Sequence, residues 1–396
     1  MKFNRLQDCV ITNKNIILRV DINVPIKDGI IQDDTRIRAI IPTIKYLAEN
    51  KAKIIIISHF GRPKGQINPE MSLKPLLNRI SELSNIKVDF CDEVIGDKVA
   101  GKISQINYGE AILLENLRFY KEETDGDEEF SQKLAQLGNL YVNDAFSCSH
   151  RSHASITGIP KFLKSAAGLL LEKELDNLQN LVQKPKKPMI AIVGGSKVST
   201  KIDLINALIE KSEAIVIAGG MANSFLYAQN YDIANSLCEK DLKETALAII
   251  HKAKKYNCQL ILPKDIRVCK KIENNANARN INLKDIESDD IIADIGLNSA
   301  QELADNLDNF STIVWNGPLG AFEFKPFNEA TNIIANKVSQ LTKEGKLISV
   351  AGGGDVVSAL NQANLADDFS YISTAGGAFL EWLEGKSLPG IIAISN

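Results

Sequence analysis

The stretch GLLLEKELDNLQNLVQKPKKP, residues 168–188, lies near the middle of the chain and decides how the rest of it is divided. Leu171, Leu175, Leu178 and Val182 recur at helical spacing, with charged residues between them. This spacing predicts an amphipathic helix over residues 169–184. The Lys-Pro-Lys-Lys-Pro sequence predicts its end, because a proline ring clashes with the preceding turn and has no N–H group. We therefore expect one helix that joins two domains, with the chemistry in a cleft between them.

Length and composition agree with two domains. Domains usually have roughly 100–200 residues. This chain has 396, of which 44% are hydrophobic and 24% charged, as in soluble globular proteins. The net charge is −3, so there is no global basic field, and we expect no nucleic-acid partner. No apolar segment reaches the roughly 18 residues of a membrane span, so we expect no membrane partner.

The six cysteines are scattered along the chain. They form no Cys-x-x-Cys pair, and none joins a histidine at the spacing of a zinc site. They are interpreted as the reduced thiols of a cytoplasmic protein. The amino-terminal sequence MKFNRLQDCVITNK contains no apolar run of the kind found in signal peptides, which also favours a cytoplasmic location.

Both halves of the chain alternate short apolar runs with longer amphipathic segments. Residues 53–58 and 111–114 in the first half, and 189–193 and 214–218 in the second, are runs without regular polar alternation. Such runs are typical of strands in a parallel sheet that is covered on both faces. The pattern predicts an α/β fold of two doubly wound, Rossmann-like domains with mostly parallel sheets.

Polar residues that follow the predicted strands of the first half form a consistent set. Ligands of parallel sheets bind beyond the carboxyl ends of the strands. Any one of these side chains could simply pair with a nearby carboxylate, but several such loops at one sheet edge favour a shared ligand. Arginine binds carboxylate and phosphate oxygens two at a time. The set predicts a small, highly anionic ligand with hydroxyl groups. It consists of Asp21, Asn23, His59, Arg62, Arg118, His150 and Arg151, together with Arg36, which opens the first predicted helix.

Glycine-rich loops follow the predicted strands of the second half, at residues 194–195, 219–220, 317–320, 352–354 and 376–377. Glycines let backbone amides approach phosphate, and a helix N-terminus favours anions. We expect Lys197 and Lys201 to lie one turn apart on one helix face, and Asp355 could hold Mg²⁺ on a polyphosphate. The loops predict a nucleotide site, although they contain neither a Walker A sequence nor a dinucleotide fingerprint.

Two other classes of protein remain as alternatives at this point. A nicotinamide-dependent dehydrogenase also has two α/β domains, but it needs a G-x-G-x-x-G turn and an acidic residue about 20 positions later, which this chain lacks. A non-catalytic, two-lobed ligand-binding protein that closes at a hinge would explain a cleft. It would not explain a Lys, Gly and Asp set in one half together with an Arg set in the other.

The motifs identify a family. The chain resembles phosphoglycerate kinases over nearly its whole length. The resemblance rests on RVDINVP (19–25), SHFGRPKG (58–65), LENLRF (114–119), VNDAF (142–146), HRSH (150–153), GGSKVSTK (194–201), GGMANSFL (219–226), WNGPLGAFE (315–323), GGGD (352–355) and LEGKSLPG (383–390), which occur in family order.

The resemblance implies a glycolytic kinase that bends at a hinge and acts as a monomer. Its substrates would be 1,3-bisphosphoglycerate and ADP, its products 3-phosphoglycerate and ATP, with Mg²⁺ bound to the nucleotide. The implied domains are residues 1–168 for 3-phosphoglycerate, with the tail 386–396 packed back on them, the connecting helix 169–184, and residues 185–385 for the nucleotide.

The resemblance also implies a role for each matched residue. Substrate binding is implied for Asp21, Ile22, Asn23, Arg36, His59, Phe60, Gly61, Arg62, Arg118 and Arg151. Nucleotide binding is implied for Lys201, Glu323, Gly353, Gly354, Asp355 and Val356, with Asp355 also the metal ligand. The predicted catalytic set is Arg36, Lys197 and Gly376, of which Arg36 and Lys197 would stabilise the transferring phosphoryl group. No general base is needed, because the attacking group is already ionised.

The chain departs from the common family pattern in four places. Ser147-Cys148-Ser149 replaces a more usual Gly-Thr-Ala, and Val356 stands where threonine is frequent. Ala375 replaces a glycine, and Phe379 replaces a small polar residue. None of these changes removes a charged group, so we expect full activity.

Overall fold

The computed structural model describes residues 3–27, 29–179, 185–373 and 375–395. The chain divides into two compact units. Unit 1 comprises residues Met1–Asp176 and Ser387–Asn396, and unit 2 comprises Asn177–Lys386. No helix in the described part of the chain has both the length and the apolar character needed to cross a membrane.

The strands and helices alternate along most of the chain. The strands are β1 (Asn15–Arg19), β2 (Ile26–Lys27), β3 (Ile30–Ile31), β4 (Lys53–Ile57), β5 (Val88–Cys91), β6 (Ala111–Leu114), β7 (Leu140–Asn143), β8 (Ser165–Ala167), β9 (Met189–Val193), β10 (Ala214–Ile217), β11 (Gln259–Ile261), β12 (Asp265–Cys269), β13 (Arg279–Asn282), β14 (Ile291–Ile295), β15 (Thr312–Asn316), β16 (Ile348–Gly352) and β17 (Tyr371–Ser373). The helices are α1 (Thr35–Glu49), α2 (Leu77–Ser84), α3 (Asp97–Gln105), α4 (Lys121–Asp125), α5 (Glu128–Ala135), α6 (Leu169–Leu178), α7 (Ile202–Ile209), α8 (Gly220–Ala228), α9 (Lys243–Lys255), α10 (Leu297–Asn306), α11 (Glu329–Lys343), α12 (Gly354–Gln362), α13 (Gly377–Leu383) and α14 (Pro389–Ile392).

Each unit is built on a six-stranded parallel sheet. The strand order is β5-β6-β4-β1-β7-β8 in unit 1 and β11-β10-β9-β15-β16-β17 in unit 2. The central strands are apolar along their length: the four isoleucines of β4 and all five residues of β9 are buried. Such strands have a helix layer on each face, so they show no alternation. The predicted α/β fold with mostly parallel sheets is confirmed.

Unit 2 also contains an antiparallel sheet, in the order β13-β12-β14, which the sequence analysis did not predict. Strand β13 has the sequence RNIN, and its residues alternate between half-buried and exposed. Alternation over four mostly polar residues is too short to distinguish a strand from a loop.

Helix α6 begins in unit 1. Leu171, Leu175 and Leu178 are buried, as the helical spacing predicts. The predicted end of this helix at residues 180–184 lies outside the described residues. At its start, Leu171 N donates to Asp144 Oδ1 at 3.0 Å. A Cβ on Gly168 would lie 2.3 Å from the same oxygen, so only glycine allows this approach.

The C-terminal segment belongs to unit 1. Leu388 and Ile391 are fully buried there, and Gly390 N donates to Ser149 O at 2.8 Å. Ser395 forms an antiparallel bridge with Phe3, so both described ends of the chain lie side by side.

Burial at the start of α6 makes unit 1 sensitive to pH. Burial raises the pKa of Asp144 from 3.8 to about 6, although hydrogen bonds from Thr43 and the α6 amides oppose the rise. The folded protein therefore binds this proton more tightly than the unfolded chain, and stability falls as the pH rises from about 4 to about 6. Above about pH 6 the full cost is present, roughly 3 kcal/mol for such a shift.

Asp144→Asn keeps an oxygen for Leu171 N but cannot ionise. We expect its unfolding free energy, relative to that of the wild type, to improve by roughly 2–3 kcal/mol between pH 4 and pH 7. Urea unfolding of both proteins across this range measures how the difference between their unfolding free energies changes with pH. Any pH-independent effect of the amide cancels in that change. A constant difference would show that Asp144 does not titrate in this window.

Candidate active site

The predicted anion-binding residues of unit 1 lie in loops that follow β1, β4, β6 and β7, except Arg36, which lies in the first turn of α1. These strands are parallel neighbours, so their carboxyl ends share one edge of the sheet. Hydrogen bonds join the loops directly. Asn23, after β1, accepts a hydrogen bond from Gly61 N, after β4, at 3.0 Å. Arg118, after β6, donates to Gly61 O at 2.7 Å.

Asp21 lies at the centre of these contacts. Its Oδ2 lies 3.1 Å from Arg36 Nη1 and accepts a hydrogen bond from Ser147 Oγ at 2.5 Å, while its Oδ1 accepts one from Asn23 N at 3.0 Å. Arg36 Nη1 also donates to Asn23 O at 3.1 Å. Burial opposes the ionisation of Asp21, but the Arg36 charge and the Ser147 hydroxyl outweigh it and hold its pKa below the usual value.

We define the cationic cluster as Arg36, Arg62, Arg118 and Arg151. Arg118 is buried, and burial together with the nearby Arg151 charge lowers its pKa. Arg62 is exposed and Arg151 is half-buried. Neither side chain has a hydrogen bond or an ion pair with another described residue. Within the cluster, Arg36 is paired with Asp21, whereas Arg118 and Arg151 act on each other and have no ion pair with a described residue, which favours an anionic ligand.

Arg19, the last residue of β1, contacts the candidate site and was missed by sequence reasoning. It is 1% exposed, donates from Nε to Ser155 Oγ at 2.9 Å, and also donates to Val20 O. Its Nη2 lies 3.2 Å from His59 Nδ1. The sequence did contain a signal for Arg19, because it is a charged residue in an otherwise apolar predicted strand. The prediction, however, considered only residues that follow strands.

The contact with Arg19 fixes the protonation of His59. Arginine has only donors, so His59 Nδ1 must accept, and the ring proton lies on Nε2. Burial and the Arg19 charge hold the pKa of His59 well below its usual value. His59 is therefore neutral and can donate through Nε2. His150 also has its pKa lowered by burial and by Arg151.

Asp21, His59 and Cys148 place three possible metal-ligand atoms within 4.8 Å of one another. Cys148 Sγ lies 3.8 Å from His59 Nδ1, and burial raises the pKa of the thiol. However, Arg19 already donates to that ring nitrogen. The imidazole lone pair is occupied and a buried cation lies beside it, so the three residues form no metal site.

Two residues with implied substrate roles point their side chains elsewhere. Ile22 is fully buried and Phe60 is 9% exposed, and both belong to the hydrophobic core of unit 1. Phe60 N is already used, since it donates to Asn116 Oδ1 at 3.0 Å. The side chains of Ile22 and Phe60 thus shape the loops from below.

The glycine loops of unit 2 converge through their backbones. Gly194 N donates to Asn316 O at 2.8 Å, and Gly219 N donates to Leu319 O at 2.9 Å. A Cβ on Gly194 would lie 1.9 Å from Pro318 O. The loops after β9, β10 and β15 are therefore packed backbone to backbone, which larger residues would prevent.

Asn316, at the end of β15, joins two predicted parts of the nucleotide site. Its Oδ1 accepts from Lys201 Nζ, and its Nδ2 donates to Gly352 O. Burial lowers the pKa of Lys201, although the charges of Asp355 and Glu384 oppose the change. Lys201, Gly353 and Asp355 thus come together at one place. Sequence reasoning missed Asn316, although an Asn-Gly pair directly after a strand was visible.

Lys197 and Lys201 do not share a helix face, and that prediction was wrong. Lys197 is exposed and precedes a 3-10 turn at Val198–Thr200, and α7 begins only after Lys201. The tighter turn interrupts the helical spacing.

The remaining predicted residues of unit 2 lie at helix starts or on the surface. Gly353 and Gly376 precede α12 and α13 with φ values of +112° and +52°. Gly354 and Asp355 are exposed in the first turn of α12. Glu323 is exposed, and no described hydrogen bond or ion pair joins its side chain to these residues.

Two departures from the family pattern are explained by packing. Val356 is fully buried in the core of unit 2, so only its backbone can face a ligand. Phe379 is fully buried, and a Cβ on Gly352 would lie 2.5 Å from its ring. The ring therefore supports the glycine loop from the core side.

The α/β fold and these two groups of residues fit a phosphotransferase that acts on small anionic substrates. A family model for phosphoglycerate kinase matches residues 6–386, and the chain belongs to that family. A phosphoglycerate kinase of Sinorhizobium fredii is 49% identical over 392 residues, which cover 99% of this chain and 98% of that protein. One of Caulobacter vibrioides is 46% identical over 396 residues and covers both chains completely.

Solved structures agree with the sequence relatives. The structure of phosphoglycerate kinase from Coxiella burnetii has a TM-score of 0.90 and 39% identity to this chain, and the match covers 99% of this chain and 98% of that one. The phosphoglycerate kinase from Pyrococcus horikoshii has a TM-score of 0.81 and 29% identity.

The backbone packing of the glycine loops predicts a sharp difference between two alanine substitutions. Gly194→Ala should lower the unfolding free energy of unit 2 by roughly 2–4 kcal/mol, because its Cβ meets a backbone oxygen that cannot rotate away. Gly354→Ala is the matched control, since a Cβ there has no atom within 4 Å. Denaturant unfolding of both variants gives the comparison. Equal stabilities would contradict the packing argument.

Proposed function

We propose that this chain transfers a phosphoryl group reversibly from the acyl phosphate of 1,3-bisphosphoglycerate to MgADP, giving 3-phosphoglycerate and MgATP. The family match supports the activity. The observation that carries the assignment of unit 1 is the cationic cluster, whose charges have too few acidic partners of their own.

Unit 1 is proposed to bind the glycerate substrate. The ionised Asp21 is an acceptor for the substrate hydroxyl group, and Asn23 supports the carboxyl end. Arg62, Arg118 and Arg151 supply charge for the phosphate, since guanidinium groups bind phosphate oxygens two at a time. The neutral His59 adds a donor at Nε2, as its contact with Arg19 supports.

Unit 2 is proposed to bind the nucleotide. Lys201 and the amides at Gly353, Gly354 and Val356 would contact the phosphates, and Glu323 would contact the ribose. Asp355 fits the role of Mg²⁺ ligand, because it is an exposed carboxylate next to Lys201, and Mg²⁺ binds oxygen through one or two carboxylates plus substrate phosphates. The metal would neutralise charge on the phosphates when bound.

The chemistry needs positioning and positive charge more than covalent help. Arg36 makes both of its side-chain hydrogen bonds to described residues through Nη1, which supports a role for its other N–H groups toward the transferring phosphoryl group. Lys197, which is exposed, and the backbone of Gly376 are proposed to have the same role toward the transferring phosphoryl group. The monomeric state stays a prediction from the resemblance, and the cytoplasmic location stays a prediction from the cysteines and the amino-terminal sequence.

A coupled assay tests the activity itself. Purified chain given 1,3-bisphosphoglycerate, ADP and Mg²⁺ should form ATP, and with 3-phosphoglycerate and ATP it should run the reverse reaction. A folded protein that forms no ATP would refute the proposal.

Lys197→Ala tests the assignment of the transferring charge. Loss of one cationic contact to the transition state should lower kcat by roughly 10³-fold or more, while the KM of each substrate changes by only a few-fold. Lys255→Ala, an exposed lysine at the end of α9, is the control and should behave like the wild type. Steady-state kinetics in both directions measure the effect. A near-normal kcat in Lys197→Ala would remove Lys197 from the catalytic set.

A further inference from the structure

The carboxylate of Glu123 is a buried charge close to Arg118 of the cationic cluster in unit 1. Glu123 belongs to the short helix α4, and its side chain is 0% exposed. Its Oε1 accepts a hydrogen bond from Ser155 Oγ at 2.6 Å, and its Oε2 accepts one from Ser155 N at 2.9 Å. His153 Nδ1 lies 3.6 Å from Oε1. Both oxygens are therefore engaged, and the segment after Arg151 is tied to α4.

Ser155 connects Glu123 with Arg19. The hydroxyl that donates to Glu123 also accepts from Arg19 Nε at 2.9 Å. Arg19 in turn donates to His59 Nδ1. A chain of four side chains, Glu123, Ser155, Arg19 and His59, thus runs from α4 to the loop that follows β4. We call these four residues the buried relay.

The buried relay supplies partners for the buried charge of Arg19. A buried charge without a partner is strongly unfavourable, and Arg19 lies buried close enough to Arg118 for the two charges to oppose each other. Burial opposes the ionisation of Glu123, but His153, the Arg19 charge and Ser155 outweigh it, so its pKa is below the usual value. Glu123 is therefore a carboxylate that compensates Arg19. The other carboxylate whose charge acts on Arg19 is Asp21.

We propose that Glu123 is a positioning residue for substrate binding in unit 1. It has no exposed surface, so it acts through Ser155 and Arg19 and does not touch substrate. By holding Arg19 against His59, it keeps Arg19 from pairing with Asp21. Asp21 then remains available to Arg36 and to the substrate hydroxyl. This inference rests on the proposed function of unit 1 as the 3-phosphoglycerate site.

Glu123→Gln removes the charge and keeps the shape of the side chain. We expect the KM for 3-phosphoglycerate to rise roughly 10- to 100-fold, the effect of losing one charge-assisted hydrogen bond. The KM for ATP should stay within about twofold, since the nucleotide residues lie in the other unit. Glu122→Gln, an exposed neighbour on α4, is the matched control and should change neither value.

A second variant guards against simple misfolding. Ser155→Ala cuts the relay but leaves the buried carboxylate and its bond to Ser155 N in place, and it should raise the same KM in the same direction. Nitrogen-15 NMR of His59 reports the relay directly. The wild type should show an unprotonated Nδ1 and a protonated Nε2, whereas both variants should show mixed tautomers.

The outcomes separate the two proposals. Unchanged 3-phosphoglycerate KM and an unchanged His59 spectrum in folded Ser155→Ala would overturn the relay, as would an equal rise of both KM values in Glu123→Gln. An inactive wild type would refute the proposed function instead. The His59 spectrum and calorimetric binding of 3-phosphoglycerate would then still test the relay.

Discussion

The burial of the Arg19 guanidinium at the end of β1 is the constraint on which the candidate site of unit 1 depends. A guanidinium group without partners in the interior is strongly unfavourable, so its donors must find acceptors. Arg19 finds them in Ser155, Val20 and His59, which belong to three different stretches of chain. The same contacts that satisfy the charge therefore fix the relative positions of the loops that follow β1 and β4.

The loops of unit 2 are held in position by different contacts. These loops contain few buried charges, and they approach each other through backbone groups that glycine leaves uncovered. Asn316 provides the cross-link that Arg19 provides in unit 1, because an amide side chain both accepts from Lys201 and donates to Gly352. A neutral linker suits a phosphate site, since it orders the lysine without cancelling its charge.

The sequence alone predicted the parts of this molecule that depend on local pattern. The apolar runs of β4 and β9 predicted parallel sheets, and the spacing of Leu171, Leu175 and Leu178 predicted the buried face of α6. The loops that follow strands were found for the same reason, since position after a strand is a local property.

What the sequence did not predict depends on tertiary contacts. Glu123 lies in the polar segment KEETDGDEEF, which has the composition of a solvated surface, and only the fold shows that it is the buried acidic residue of this segment. Arg19 was not predicted because it lies in a strand and not after one. Asn316 was not predicted because its motif was considered for its glycines. The 3-10 turn between Lys197 and Lys201 was also not predicted, because one short turn changes the helical spacing of the residues without changing their composition.

The departures from the family pattern show how the site tolerates change. Val356 and Phe379 face the core, and Cys148 is buried, so these substitutions leave the charged surface as it is. Ser147 differs, because its hydroxyl donates to Asp21 Oδ2 at 2.5 Å, a bond that the usual glycine could not make. That bond lowers the pKa of Asp21 and so favours the ionised form. It also occupies a lone pair on the oxygen that Arg36 contacts, so in the proposed complex the substrate hydroxyl would approach the remaining acceptor positions of Asp21. Ser147 is thus the departure that acts directly on the candidate site of unit 1, because its hydroxyl both orients Asp21 and favours its ionised form.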